Sequence, residues 1–122
     1  MSEIIIRAMT TRWERRAFLT FPWKVYQDDP LWVPPLIPER MKVIHPDKGA
    51  FFHRGDAICF AAYRGREMAG TVCAAEDKFT NRERGRKDCV FGFLEFLPDY
   101  EVFQALIEQV EEFARSRDLD TL

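Results

Sequence analysis

The sequence predicts an α+β domain, a mixed and mostly antiparallel central sheet flanked by helices. Three observations predict it. The stretch "AICFAAYRGREMAGTVCAA" holds two apolar runs separated by Arg64-Gly65-Arg66-Glu67, the pattern of a β-hairpin. The stretch "CVFGFLEFL" is a further strand, and a helical segment follows it after a very short joint. In that segment Val102, Phe103, Leu106, Ile107, Val110, Phe113 and Ala114 recur at steps of three and four, with Gln104, Glu108, Glu111, Glu112 and Arg115 on the other side.

The remaining elements follow in chain order. "EIIIRAM" reads as a first strand. Thr11 with Glu14 three residues on forms a capping box, which opens a helix with Trp13, Ala17 and Phe18 on one face. Pro22 has no N–H to give to that helix, so a kink or a break is expected there, with "PWKVYQDD" beginning a second helical piece. "DPLWVPPLIPER" is proline-rich and therefore extended or turn-like, "ERMKVIH" a short helix, and "PDKGAFFHRGD" a loop. Gly92, inside a strand, marks a bulge or a close approach of backbone. Basic "NRERGRK" reads as a solvated loop. Asp99 caps the last helix and Glu101 complements its dipole; "DLDTL" then begins another strand.

The chain has 122 residues, enough for one domain spanning 1–122 with a real core. Hydrophobic residues make up 47%, eleven of the residues are Phe, and the net charge is −2. That balance predicts neither nucleic acid nor a membrane surface as a partner. No apolar run approaches the length of a membrane span, and Arg7 cuts the first one short, so no signal peptide is read and a cytoplasmic location is expected. Cys59, Cys73 and Cys89 are far apart in sequence, within apolar runs, and read as reduced buried hydrophobes. They lack the close pairing of a metal site, and His45 near Asp47 and His53 near Asp56 match no metal motif.

The order of elements resembles the first two-thirds of the GNAT N-acetyltransferase superfamily. "YRGREMAGTV" is similar to that family's second and third strands, "CVFGFLEFL" and its helix to the fourth strand and central helix, and "FPWKVYQDDPLWVPPL" with "PDKGAFF" to the amino-terminal part of a bacterial GNAT-like branch. The resemblance implies a GNAT-like sheet whose carboxyl-terminal strands are missing, acetyl-CoA as cofactor, and a small-molecule or peptide amine as acceptor. It places the cofactor contacts on Phe96, Leu97, Asp99, Tyr100, Glu101 and Val102. It also places a carboxylate base on the fourth strand, where Glu95 stands between Leu94 and Phe96. A carboxylate buried in such a run would have a raised pKa, which suits a base. The family's acid, a Tyr in a later helix, lies past the end of this chain, and Tyr100 comes too early for that role.

The joint itself departs from the family pattern. A Gly-rich loop lets backbone amides approach phosphates closely. Leu97 to Val102 contain no glycine, Pro98 lacks an N–H, and Asp99 and Glu101 bring negative charge. Two like unit charges about 5 Å apart repel by roughly 3 kcal/mol at an effective dielectric near 20. The joint has the shape of a phosphate site and the chemistry of a self-capped helix. Two functions are therefore expected as alternatives: an acyl-CoA-dependent N-acyltransferase domain, or a GNAT-like module for structure or protein binding. Trp23, Tyr26 and Trp32, set among prolines, read either as lining a ligand groove or, by preference, as fastening the proline-rich segment to the core. An uncovered apolar edge on "CVFGFLEFL" would favour a two-fold homodimer, with Phe91, Phe93, Leu94 and Phe96 in or near the contact.

Overall fold

A computed structural model describes residues 3–45 and 55–121. Strand β1 (Ile4–Ala8) leads into helix α1 (Arg12–Val25) and helix α2 (Ile37–Val43). Strands β2 (Gly55–Arg64) and β3 (Glu67–Asp77) form the hairpin, helix α3 (Lys78–Arg84) follows, and strand β4 (Val90–Phe96) precedes helix α4 (Tyr100–Ser116). The four strands pair antiparallel in the order β1-β2-β3-β4. This is the expected α+β architecture.

Side chains alternate across a strand, so β2 serves two cores. Phe60 and Ala62 point to one face, where Val102, Leu106, Val110 and Phe113 of α4 cover them. Cys59 and Ala61 point to the other, where Phe18 and Leu19 of α1 and Ile44 cover them. Gly70 sets the height of α4 over the sheet. A Cβ there would come within 2.8 Å of side-chain carbons of both Val102 and Leu106. Gly65 takes a positive φ of 67° in the β2–β3 turn, which glycine adopts without steric cost.

The capping box at Thr11 and Glu14 forms as its spacing predicts. Of the kink or break expected at Pro22, the break does not occur, and "PWKVYQDD" begins no separate helix: α1 runs through Pro22 to Val25. Pro22 lies one turn from the helix end, so it deprives only the Phe18 carbonyl of its usual donor, and its own carbonyl still accepts from the Tyr26 N–H at 2.9 Å. The basic stretch is likewise not all loop. Asn81–Arg84 belong to α3, which Asp77 caps by accepting from the Thr80 N–H at 3.0 Å. Of the expected loop 46–56, Gly55 and Asp56 already belong to β2, and 46–54, with His53 and Asp47, lie outside the described residues.

The pairing of β3 with β4 contains a bulge. Thr71 faces Glu95 and Cys73 faces Gly92, so Phe93 and Leu94 together oppose Val72 alone. Phe93 adopts φ 53°, an uncommon conformation for a bulky residue. The buried Thr71 hydroxyl donates to the Phe93 carbonyl at 2.9 Å and holds the irregularity in place. Of the two readings of Gly92, the bulge stands beside it, whereas a Cβ on Gly92 would meet nothing within 4 Å. After α4, Thr121 pairs in parallel with Asp88, and the Cys89 N–H donates to the Thr121 carbonyl at 2.6 Å, the start of the strand read in "DLDTL".

Candidate functional site

The bulge brings Glu95 to the α1 face of the sheet. There β4 forms one wall of a groove of about 550 Å³. Phe18, Leu19 and Pro22 of α1 form the opposite wall, Trp32 to Pro35 run along it, and Arg40 of α2 stands over it. The proline-rich segment is therefore a structural part of this groove, because fixed φ angles keep Val33 to Pro35 extended beside β4.

Glu95 is half-buried and is the one carboxylate among the residues lining the groove. Tyr26, the residue that closes α1, donates its hydroxyl to Glu95 Oε2 at 2.7 Å. That hydrogen bond to the carboxylate, aided by burial, pushes the Tyr26 pKa above its ordinary 10.0, so the phenol stays protonated and remains a donor. Trp32 stacks on Tyr26 at 5.5 Å between ring centroids, and Trp23 meets Trp32 edge-on at 5.1 Å. These rings fasten the proline-rich segment as expected, and they also fix the partner of Glu95. Phe93 packs on Phe18 at 5.8 Å, and the Arg40 guanidinium lies 5.6 Å from the Phe93 ring centre. The groove thus offers one carboxylate and one guanidinium on apolar walls.

The joint between β4 and α4 is a separate place with different chemistry. Asp99 Oδ1 accepts from the Glu101 N–H at 3.2 Å, and the Asp99 carbonyl accepts from the N–H groups of Val102 and Phe103 at 3.1 and 3.2 Å. The Leu97 N–H donates to Ala69 at 3.0 Å. Arg64 donates through Nε to Asp99 Oδ2 at 2.9 Å and lies 3.9 Å from Glu101. The Arg64 bond holds the Asp99 carboxyl below its ordinary pKa of 3.8. Val102 is fully buried in the core, whereas Tyr100 is exposed beside Phe103, which also contacts Phe96. The joint does not fit a diphosphate: these first-turn amides have internal partners, and the nearby guanidinium is matched by two carboxylates.

The structure therefore separates Glu95 from the six residues grouped at the joint. Sequence reasoning missed Tyr26 as the partner of Glu95, Arg40 as a groove residue, and Arg64 as the partner of Asp99. A Tyr and a Trp flanking a proline-rich run carried a signal for the first, but nothing near Arg64 in sequence points to Asp99. Among the described residues no three His, Cys, Asp or Glu side chains gather as a metal site, and no helix is long and apolar enough to cross a membrane.

No protein-family model matches the chain. Over 117 residues, 95% of the chain, it is 29% identical to a bacterial ceramide synthase of Caulobacter vibrioides (strain NA1000 / CB15N). Over 116 residues, 93% of the chain, it is 27% identical to the protein YghO of Escherichia coli (strain K12). The chain spans 30% and 29% of the lengths of these relatives. Its structure is similar to that of FeeM, an N-acyl amino acid synthase from uncultured soil microbes, with a TM-score of 0.62 at 15% identity over 98% of this chain and 69% of that one. The fold is acyltransferase-like.

Proposed function

We propose that this chain is part of an N-acyltransferase that moves an acyl group from an activated donor onto an amine, with Glu95 as the base. The observation that carries this reading is the Glu95 carboxylate, set into an apolar groove by a strained bulge and held by the Tyr26 hydroxyl. Backbone strain of this kind, about 1–3 kcal/mol per residue, clusters at functional sites. An ammonium group entering the groove gives a proton to Glu95, the neutral amine attacks the carbonyl of an acyl thioester, the C–S bond breaks, and the departing thiolate takes up the proton that the new amide nitrogen loses. Tyr26 positions the carboxylate, and Arg40 attracts negative charge on donor or acceptor. The relatives support amide formation, since a ceramide and an N-acyl amino acid are both amides.

The acyl group or its acceptor is apolar and larger than acetyl, because the groove is far larger than an acetyl group needs. Acetyl-CoA, which the resemblance implies, finds no diphosphate site at the joint. The second reading, a non-catalytic module, is favoured by the same self-capped joint.

Thermal unfolding with two probes separates the readings. A ligand at 100 times its Kd adds about 2.7 kcal/mol of stability. A long-chain acyl-pantetheine thioester should raise Tm and acetyl-CoA should not. Failure of both at millimolar concentration overturns the enzyme reading and leaves the module. Release of free thiol with a long-chain amine, lost in Glu95→Gln, completes the test.

A further inference from the structure

We propose that Cys59 and Cys73 form a dithiol site that hydrogen peroxide oxidises to a cross-strand disulfide. The two residues are direct partners in the β2–β3 register. Their geometry follows from the ladder. The Cys59 carbonyl accepts from the Met9 N–H at 2.7 Å, so the Cys59 backbone groups are turned toward the β1 side and away from β3. In an antiparallel sheet this makes Cys59 and Cys73 a non-hydrogen-bonded pair, whose Cα atoms stand about 4.5 Å apart with side chains drawn together. That separation lies within the range of about 4.4–6.8 Å that a disulfide spans. Both are free thiols, and both belong to the core under α1.

Access and activation come from the other side of β2. A cavity of about 240 Å³ is lined by Ala8, Thr10, Arg15, Ile44 and Cys59, among other residues. Arg15 gives one Nη1 hydrogen bond to the Thr10 carbonyl at 2.6 Å, and its buried Nε has no partner among the described residues. The neighbouring Cys73 thiol and the charge of Arg15 hold the Cys59 pKa below 9.0 against the effect of burial. The same contact and burial push Cys73 up. Cys59 lines the cavity beside Arg15 and Cys73 does not, so Cys59 is the nucleophile and Cys73 the resolving thiol. Cys89 packs on the opposite face under α4, with its pKa raised by burial, and takes no part.

The chemistry balances in two steps. The Cys59 thiolate attacks one peroxide oxygen, the O–O bond breaks, and the departing hydroxide takes up the thiol proton as water. The sulfur is left as sulfenic acid, two electrons more oxidised. Cys73 then attacks that sulfur, the S–O bond breaks, and the hydroxyl leaves with the Cys73 proton as a second water. Two thiols and one peroxide give one disulfide and two waters.

The test is thiol mapping on the full chain: hydrogen peroxide, then N-ethylmaleimide, digestion and mass spectrometry. The expected result is loss of two of the three alkylatable thiols, a dithiothreitol-reversible peptide linking Cys59 to Cys73, and Cys89 still alkylated. In Cys73→Ser the reaction should stop at a dimedone-reactive sulfenic acid on Cys59. A disulfide through Cys89, a linkage between chains, or alkylation of all three thiols as in untreated protein overturns the proposal. The mapping on unsubstituted protein stands whether or not the variant folds.

Discussion

Glu95 and Tyr26 stand 69 positions apart in the chain and share one hydrogen bond, so their roles separate by substitution. Glu95→Gln keeps the shape of the side chain and removes the base. Turnover should fall about 100- to 10,000-fold, the usual share of general base catalysis, with the circular dichroism spectrum unchanged. Tyr26→Phe should cause a smaller loss, in kcat more than in KM, and full turnover in that variant would contradict a positioning role. A third residue sets behaviour in acid. Lys78 and Arg117 hold the Asp56 carboxyl below its ordinary pKa of 3.8. The unfolded chain takes up this proton at higher pH than the folded one, so the contribution is complete above pH 3.8 and is lost as pH falls through the lower folded value. Urea midpoints should decline below that point, and Asp56→Asn should show lower stability at neutral pH and a shallower acid limb.

At the scale of elements, the joined pair β3 and β4 depends on Thr71. Thr71→Val leaves the Phe93 carbonyl without its hydroxyl donor, and stability by urea titration should fall by about 1–3 kcal/mol. Replacing Pro98 and Asp99 by glycine should release the Glu101 N–H, add a backbone donor at position 98 and separate Arg64 from its partner, raising CoA affinity in calorimetry from a negligible starting value. Unchanged affinity would show that the joint's amides are not what limits binding. Elements held together by local interactions were legible in the sequence. The capping box reads from Thr11 and Glu14, the hairpin from its Gly65 turn, and α4 from its apolar period. Elements set by distant partners were not. Pro22 reads as a breaker because propensity ignores how near the helix end lies. Asn81–Arg84 read as loop because their charges hide the cap at Asp77. The groove needs Trp32 to Pro35 laid against β4, and no local pattern says where an extended segment will lie.

For the whole molecule, β4 is the outer strand of the four-stranded sheet among the described residues, with only Thr121 bridging beside its start, and Val90, Phe91 and Phe96 on it are exposed. Phe93 and Leu94 pack inside the protomer instead, against the two opposite cores, so the contact expected of all four aromatic and aliphatic residues narrows. An exposed apolar edge pairs readily with another chain. This chain should sediment at micromolar concentration above its 14.4 kDa monomer mass, and Phe91→Lys should return it to that mass. A monomer before substitution would show that β4 does not recruit a second copy.

The bulge at Phe93 has a consequence for how β4 tolerates insertions and deletions. Elsewhere in a strand, loss of one residue turns every side chain beyond it to the opposite face. At the bulge the strand carries one residue more than its partner, so with Phe93 deleted and the ladder regular, Leu94 would oppose Val72 beneath α4 and Glu95 would still oppose Thr71 in the groove. The site could thus lose a codon here and keep its carboxylate, at the cost of the Phe93 ring that packs on Phe18. Deletion scanning along 90–96 would expose that asymmetry as Glu95-dependent turnover that survives loss of Phe93 and vanishes on loss of Phe96.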